Sequence, residues 1–459
     1  MKSYINFLLI ILLISSCTNS NYTVFNFKTN INLNNLNDEN YMRIKFDQTI
    51  YTEVKFGDPN QIIPMTIKTW QYPTFIVSNE ATEDIKVKFY PLNSHTFKKK
   101  YDHLITGLYT YDFTKGYLSY ETMNISSPVN NFLFMLATEL NVGVRNMSGG
   151  IGLAKENTEN KEYLPQKTHF IDQLLEQDII NKKIFGFTYD SEYEGRLIFG
   201  AYLYEVEPNY KEKDMNEVDI DTDVADVNNN KWMMKFFFQC LSGEDNKVIY
   251  EEKSYGFFFI ESDLIIGSTV FQKDFIKEYF SKRNCQSETI QASSHFTAYY
   301  CTNESQFADF PNITFKYPGK YNFTFSKNEL FVKRGNKYYF QIVFQIFTED
   351  VVVPSWKIGQ IFFRKYSIFF KQEDRGYKMS YYLTQKFEKS SSRLSTQTIV
   401  IIVLSIVLGL LIIGIIVYFV YFFPKRKKKR ANELTDDDYE YNSSEKETSE
   451  NEDKLMINE

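Results

Sequence analysis

Two short stretches hold the side chains on which a chemical reading of this 459-residue chain turns. One is Lys68-Thr69-Trp70; the other is Phe259-Ile260-Glu261-Ser262-Asp263. Carboxyls such as Glu261 and Asp263 can hold or pass a proton, whereas the Lys68 ammonium offers no oxygen to accept one. Other chemistries find no support. The four histidines, His95, His103, His169 and His295, are scattered without metal-ligand spacing. Neither a glycine-rich phosphate loop nor a serine nucleophile elbow occurs. No metal or cofactor is therefore expected.

The elements that must position these stretches are mainly β. Tyr51-Thr-Glu-Val-Lys-Phe alternates as a strand, and Gly57-Asp58-Pro59-Asn60 reads as the turn that returns it toward Lys68. Ile85-Lys-Val-Lys-Phe-Tyr90 alternates in the same way, and Gly195 to Gly200 reads as a strand. Phe170 to Ile180 carries apolar residues at helical spacing. In the second half, strands are expected over Lys231 to Leu241, Tyr255 to Ile260, Ile313 to Tyr317 and Ser367 to Lys371, with a helix over Val270 to Phe280. Two β-rich units in tandem, residues 42–205 and 211–385, suggest a two-lobed body; the Asn-rich segment from Asn21 to Tyr41 reads as a loose leader.

Both ends carry membrane-route signals. Met1-Lys2, an apolar Ile5 to Ile14 and Ser15-Ser16-Cys17 read as a secretory signal over residues 1–17, although the last four residues also fit a lipoprotein box. A Ser-rich stalk over residues 386–397 precedes the uncharged, apolar run Ile399 to Phe423, which is long enough to cross a bilayer. Pro424 and the basic cluster Lys425 to Arg430 follow, and mark the cytosolic side. The acid-rich tail to Glu459 is too polar to fold alone. The expected topology is single-pass type I, at the cell surface or within the endolysosomal or secretory pathway. The formal net charge of -6 is concentrated in that tail, so the body is nearly balanced and nothing in it suggests nucleic-acid binding.

An oxidising compartment permits Cys285 and Cys301 to pair. Cys240 is then left over, either buried in a strand or available for intermolecular pairing. Asn21, Asn124, Asn146, Asn303, Asn312 and Asn322 each open a glycosylation sequon on the lumenal side.

The order of landmarks resembles pepsin-type aspartic peptidases over about Tyr51 to Leu383. Tyr51 to Gln61 is similar to the strand and turn that precede the first catalytic Asp-Thr-Gly. Leu108 to Thr122 resembles the flap hairpin and puts Tyr109 at the flap tyrosine. Ser148-Gly-Gly-Ile-Gly-Leu-Ala154, the Phe170 helix, Gly195 to Gly200, Trp232, and Cys285 and Cys301 followed by Phe310-Pro-Asn-Ile-Thr-Phe315 fall in family order. Trp356-Lys-Ile-Gly-Gln-Ile-Phe-Phe-Arg364 is the most specific landmark of the second half. The resemblance implies a bilobal acid-protease fold, with a C-terminal transmembrane helix added here, and a Cys285–Cys301 bridge.

The resemblance also implies two aspartates, one per lobe, that share a proton and activate a water. This chain departs there. Lys68, Thr69 and Trp70 occupy the first Asp-Thr-Gly position. At the second, a gap-free count from Leu264-Ile-Ile-Gly267 puts Phe259 at the aspartate, while a two-residue deletion aligns Glu261-Ser262-Asp263 instead and would let Lys68 face Glu261 as an ion pair. In either alignment a glycine is lost, and with it a close backbone approach. Three functions follow as expectations: a noncatalytic module that binds an extended peptide or protein segment in its cleft, an active endopeptidase with a noncanonical site built on Glu261 or Asp263, or a glycosylated surface antigen with an inherited fold.

Overall fold

The computed structural model describes residues 21–30, 40–106, 112–141, 147–155, 168–220, 231–243, 245–291, 295–317, 321–346, 355–373 and 376–383. The expected signal, stalk, membrane span and cytosolic tail lie outside the described residues, as do Tyr109 and Asn146. Among the described residues, no helix is long and apolar enough to cross a membrane.

The described chain is mainly β and forms a 14-stranded and an 11-stranded sheet. The hairpin that the sequence predicts is present: strand Ile50–Phe56 pairs antiparallel with Gln61–Lys68, and Phe56 stands opposite Gln61. Gly57 closes its turn at φ +85, a left-handed conformation that a side chain would strain. Alternation buries Ile50, Val54 and Phe56 on one face, where they join a core rich in phenylalanine.

The segment after Asn21 is not a loose leader. Thr23–Thr29 is a strand between Glu194–Phe199 and Ile50–Phe56, with alternate residues buried. Phe25 and Phe27 supply enough apolar surface to hold it there. The short helix Tyr41–Phe46 follows, and its Tyr41, Met42 and Phe46 pack on Leu264, Ile266 and Phe296 of the second half. By contrast, the alternation at Ile85 to Tyr90 makes no strand. Only Phe89 forms a bridge, to Ser78, so Ile85 and Phe89 are buried without a ladder.

The two halves share a sheet. Tyr366–Glu373 pairs with Ile184–Tyr189, and Gly376–Leu383 and Asn216–Ile220 extend the same ladder outward. The chain's last described strands are therefore fastened to the first sheet and not to the second. Trp232 adds a cross-link: its indole N–H donates to the Leu153 carbonyl at 2.6 Å, and its ring packs on Phe185 and Phe370. The expected helices are present as Phe170–Glu176 and as a continuous helical run from Thr269 to Ser281, which contains one π-helical stretch, Gln272–Ile276. Cys285 and Cys301 are bonded, and Cys240 is buried in strand Met233–Leu241.

Candidate functional site

Each sheet contains the same crossing of strands, and the registers align the two halves residue by residue. In the first sheet, Gln61–Lys68 runs parallel to Gly149–Gly152, and Lys68 stands opposite Gly152. Gly150 there pairs with Thr66 on one side and Phe75 on the other. In the second sheet, Val248–Phe258 runs parallel to Ser355–Ile358, and Lys357 pairs with Phe257 and Ile266. Thr66 and Phe75 lie two residues before and seven after Lys68; Phe257 and Ile266 bear the same relation to Phe259. Phe259 is thus the counterpart of Lys68, as the gap-free count gives. The glycine opposite each position is also shared. A Cβ on Gly152 would meet the Tyr72 carbonyl at 2.3 Å, and one on Gly359 would meet the Leu264 carbonyl at 2.0 Å. Both turns need a residue without a side chain.

The two turns touch through Thr69, whose hydroxyl donates to the Phe258 carbonyl at 2.8 Å. This fully buried bond ties the end of one central strand to the end of the other. Gln360 adds a second tie, donating to the carbonyls of Gln48 and Ile260 at 2.8 Å each.

Lys68 is 5% exposed, and its Nζ lies 2.9 Å from Asp112 Oδ2. Burial disfavours the ammonium, but Asp112, and after it Glu261, outweigh that cost and raise the Lys68 pKa above its ordinary value. Asp112 was not singled out from the sequence. It sits just before strand Phe113–Asn124, and nothing in its local pattern marks it as the partner of a residue on another strand.

Glu261 is 7% exposed, and neither carboxyl oxygen has a hydrogen-bond partner of good geometry. Burial dominates and pushes its pKa up to about 8; Lys68 pulls the other way, Asp112 adds to the rise, and the Trp70 side chain exerts a small lowering pull. Glu261 therefore holds its proton well above the ordinary carboxylate range. The direct Lys68–Glu261 ion pair that the gapped alignment allowed is not formed. Lys68 takes Asp112 as its close partner, and Glu261 acts on it only from farther away.

Asp263, the other candidate acid, is committed elsewhere. It is 0% exposed, with Lys45 Nζ at 2.8 Å and the Arg364 guanidinium on its other oxygen. Burial raises its pKa, but Arg364 and Lys45 overcome this and hold the carboxyl below the usual range. Ser262 is buried and structural: its carbonyl accepts the Gln360 N–H at 2.8 Å, and its hydroxyl accepts the Leu264 N–H. Lys45 and Arg364 went unrecognised in the sequence because they come from helices Tyr41–Phe46 and Gln360–Lys365, remote in the chain from Asp263.

The flap region is described on both sides of Tyr109. Ile105–Thr106 pairs with strand Phe113–Asn124, which pairs in turn with Pro128–Leu140. Among the sequon asparagines, Asn21, Asn303 and Asn322 are exposed, while Asn124 and Asn312 are half-buried.

The comparisons agree with this geometry. The model of the eukaryotic aspartyl protease family matches residues 49–380, most of the chain and both strand crossings. The chain belongs to this family of pepsin-type aspartic peptidases. No curated protein matches it.

Proposed function

We propose that this protein is a single-pass membrane protein whose pepsin-like body has lost both Asp-Thr-Gly sites and binds an extended peptide or protein segment without cutting it. The observation that carries this reading is the buried Lys68–Asp112 pair, 2.9 Å apart, with Phe259 as the symmetric counterpart of Lys68. Hydrolysis by this family's chemistry needs two carboxyls around one water, one ionised and one protonated. Here those two positions carry an ammonium and a phenyl ring. A β-rich two-lobed body that keeps its scaffold but not its acids is suited to strand-like capture of an extended chain. The apolar run Ile399 to Phe423 and the basic cluster after it support the membrane anchor, and the sequons support a glycosylated lumenal face.

One observation favours a second reading, an active endopeptidase. Glu261 is a buried acid whose pKa burial raises to about 8, and Asp112 is near enough to raise it further. That reading has Glu261 and Asp112 share a water in the seam. Asp263 does not serve that reading, since Lys45 and Arg364 hold it. Incubation of the full-length chain with a denatured protein, from acid to neutral pH with and without pepstatin, separates the two. The proposal expects no cleavage; pepstatin-sensitive cleavage that disappears in Glu261→Gln overturns it.

A further inference from the structure

Strand Val248–Phe258 ends at the seam between the halves, and its odd-numbered face is half-exposed. Phe257 and Phe259 lie on that face with ring centroids 5.9 Å apart. Two lysines converge on them, Lys231 from just before strand Met233–Leu241 and Lys357 from strand Ser355–Ile358. Lys231 Nζ lies 4.9 Å from the Phe257 centroid, and Lys357 Nζ lies 5.8 Å from the same centroid and 5.6 Å from that of Phe259. Both lysines are half-buried, and neither has an ion-pair partner within 4 Å among the described residues. Two ammonium groups on one ring repel each other, and the ring faces return only part of that cost.

Glu261 acts on Lys357 from beyond ion-pair distance, and burial raises its own pKa to about 8. Lys357 itself is depressed, first by burial and then by Lys231. The face thus joins an apolar floor to two cations that have no ion-pair partner among the described residues.

We propose that Lys231 and Lys357, over Phe257 and Phe259, form a subsite for a carboxylate carried by an extended segment, with an apolar neighbour of that carboxylate resting on the rings. This rests on the binding reading above and names the ligand chemistry it would select: an acidic extended segment. Charge complementarity supplies the selection, and the aromatic floor supplies the contact that a bare pair of surface lysines would lack.

The test uses the purified full-length chain in mild detergent and four fluorescent peptides read by anisotropy. Three have blocked ends and alternate Thr with Glu, Gln or Lys around a single Phe; the fourth is the Gln peptide with a free C-terminal carboxylate. The Glu peptide is expected to bind at least about tenfold more tightly than the blocked Gln peptide, with the Lys peptide weakest. Lys231→Met with Lys357→Met should erase that preference, and Lys357→Glu should shift it toward the Lys peptide. Thermal melts of each variant establish that it is folded, and the charge reversal reads a change of preference that mere misfolding would not produce. Tightest binding by the free-ended Gln peptide supports the carboxylate subsite and assigns it to a chain terminus. Equal binding of the Glu and Gln peptides, unchanged in the variants, overturns this inference and leaves the binding reading intact. Binding of none of the four overturns both.

Discussion

Lys68 and Asp112 form a buried ion pair at the end of a central strand, with Nζ and Oδ2 2.9 Å apart. On the reading proposed above, the pair puts a cation where this family keeps a catalytic acid, and Asp112 supplies that cation with a counter-charge. A charge isolated at this depth would be costly; paired, it can be retained.

Removing either partner should therefore be expensive. Lys68→Met is expected to lower stability by about 3–5 kcal/mol, because Asp112 is left unpaired in the interior. Joining it with Asp112→Leu should recover much of that loss. Denaturant titration of the two single variants and the double variant measures the coupling; simple additivity would show that the pair does not act as a unit.

Glu261 makes stability depend on pH in the opposite sense from most carboxylates. Its folded pKa of about 8 lies above its ordinary value of 4.5, so the folded state holds an extra proton between those values. The associated stability is fully present below the lower value and is lost as pH rises through about 8. Glu261→Gln should flatten this slope and, in mild alkali, be more stable than the parent by as much as about 4 kcal/mol. Unfolding curves over that range check it. A parent stability that rises across the window, with no change in the variant, would contradict the assignment.

Asp263 should behave in reverse. Its folded pKa is depressed by Arg364 and Lys45, so its contribution is present above the ordinary aspartate value and disappears as pH falls through the lowered one. Asp263→Asn should cost about 3–5 kcal/mol at neutral pH, since Arg364 loses its carboxylate and Lys45 is left with Glu192 alone. Neutral-pH denaturation midpoints of Asp263→Asn and Glu261→Gln distinguish a structural clamp from a buried acid with a raised pKa.

The Cys285–Cys301 bond closes a loop with a sequence separation of 16. Replacing both residues with serine should cost roughly 3 kcal/mol in the chain-entropy account. Cys240, buried and with its thiol pKa raised by desolvation, should resist alkylation until the chain unfolds. Mass spectrometry after maleimide treatment in native and denaturing buffer reads this directly.

Much of the scaffold was legible in the sequence because it depends on local pattern. Period-two alternation and a Gly-Asp-Pro-Asn turn specify the hairpin before Lys68, and ordered landmarks specify the rest of the body. The strand Thr23–Thr29 carried the same alternation in Phe25 and Phe27, but its Asn-rich surroundings masked it. Ile85 to Tyr90 shows the converse: alternation alone does not supply a partner strand. The charged partners were not legible. Asp112, Lys45 and Arg364 reach Lys68 and Asp263 only through tertiary packing, which leaves no spacing to read. The counterpart of Lys68 stayed ambiguous in the sequence and was decided by register, through the paired positions of Gly150 and Lys357.

The central claim is that the seam binds without turnover. The most direct measurement follows a labelled acidic peptide in prolonged incubation with the full-length chain at acid and neutral pH, with binding read by anisotropy and integrity by mass spectrometry. This account predicts a bound peptide recovered intact. Fragments that appear in the parent and vanish in Glu261→Gln would contradict it.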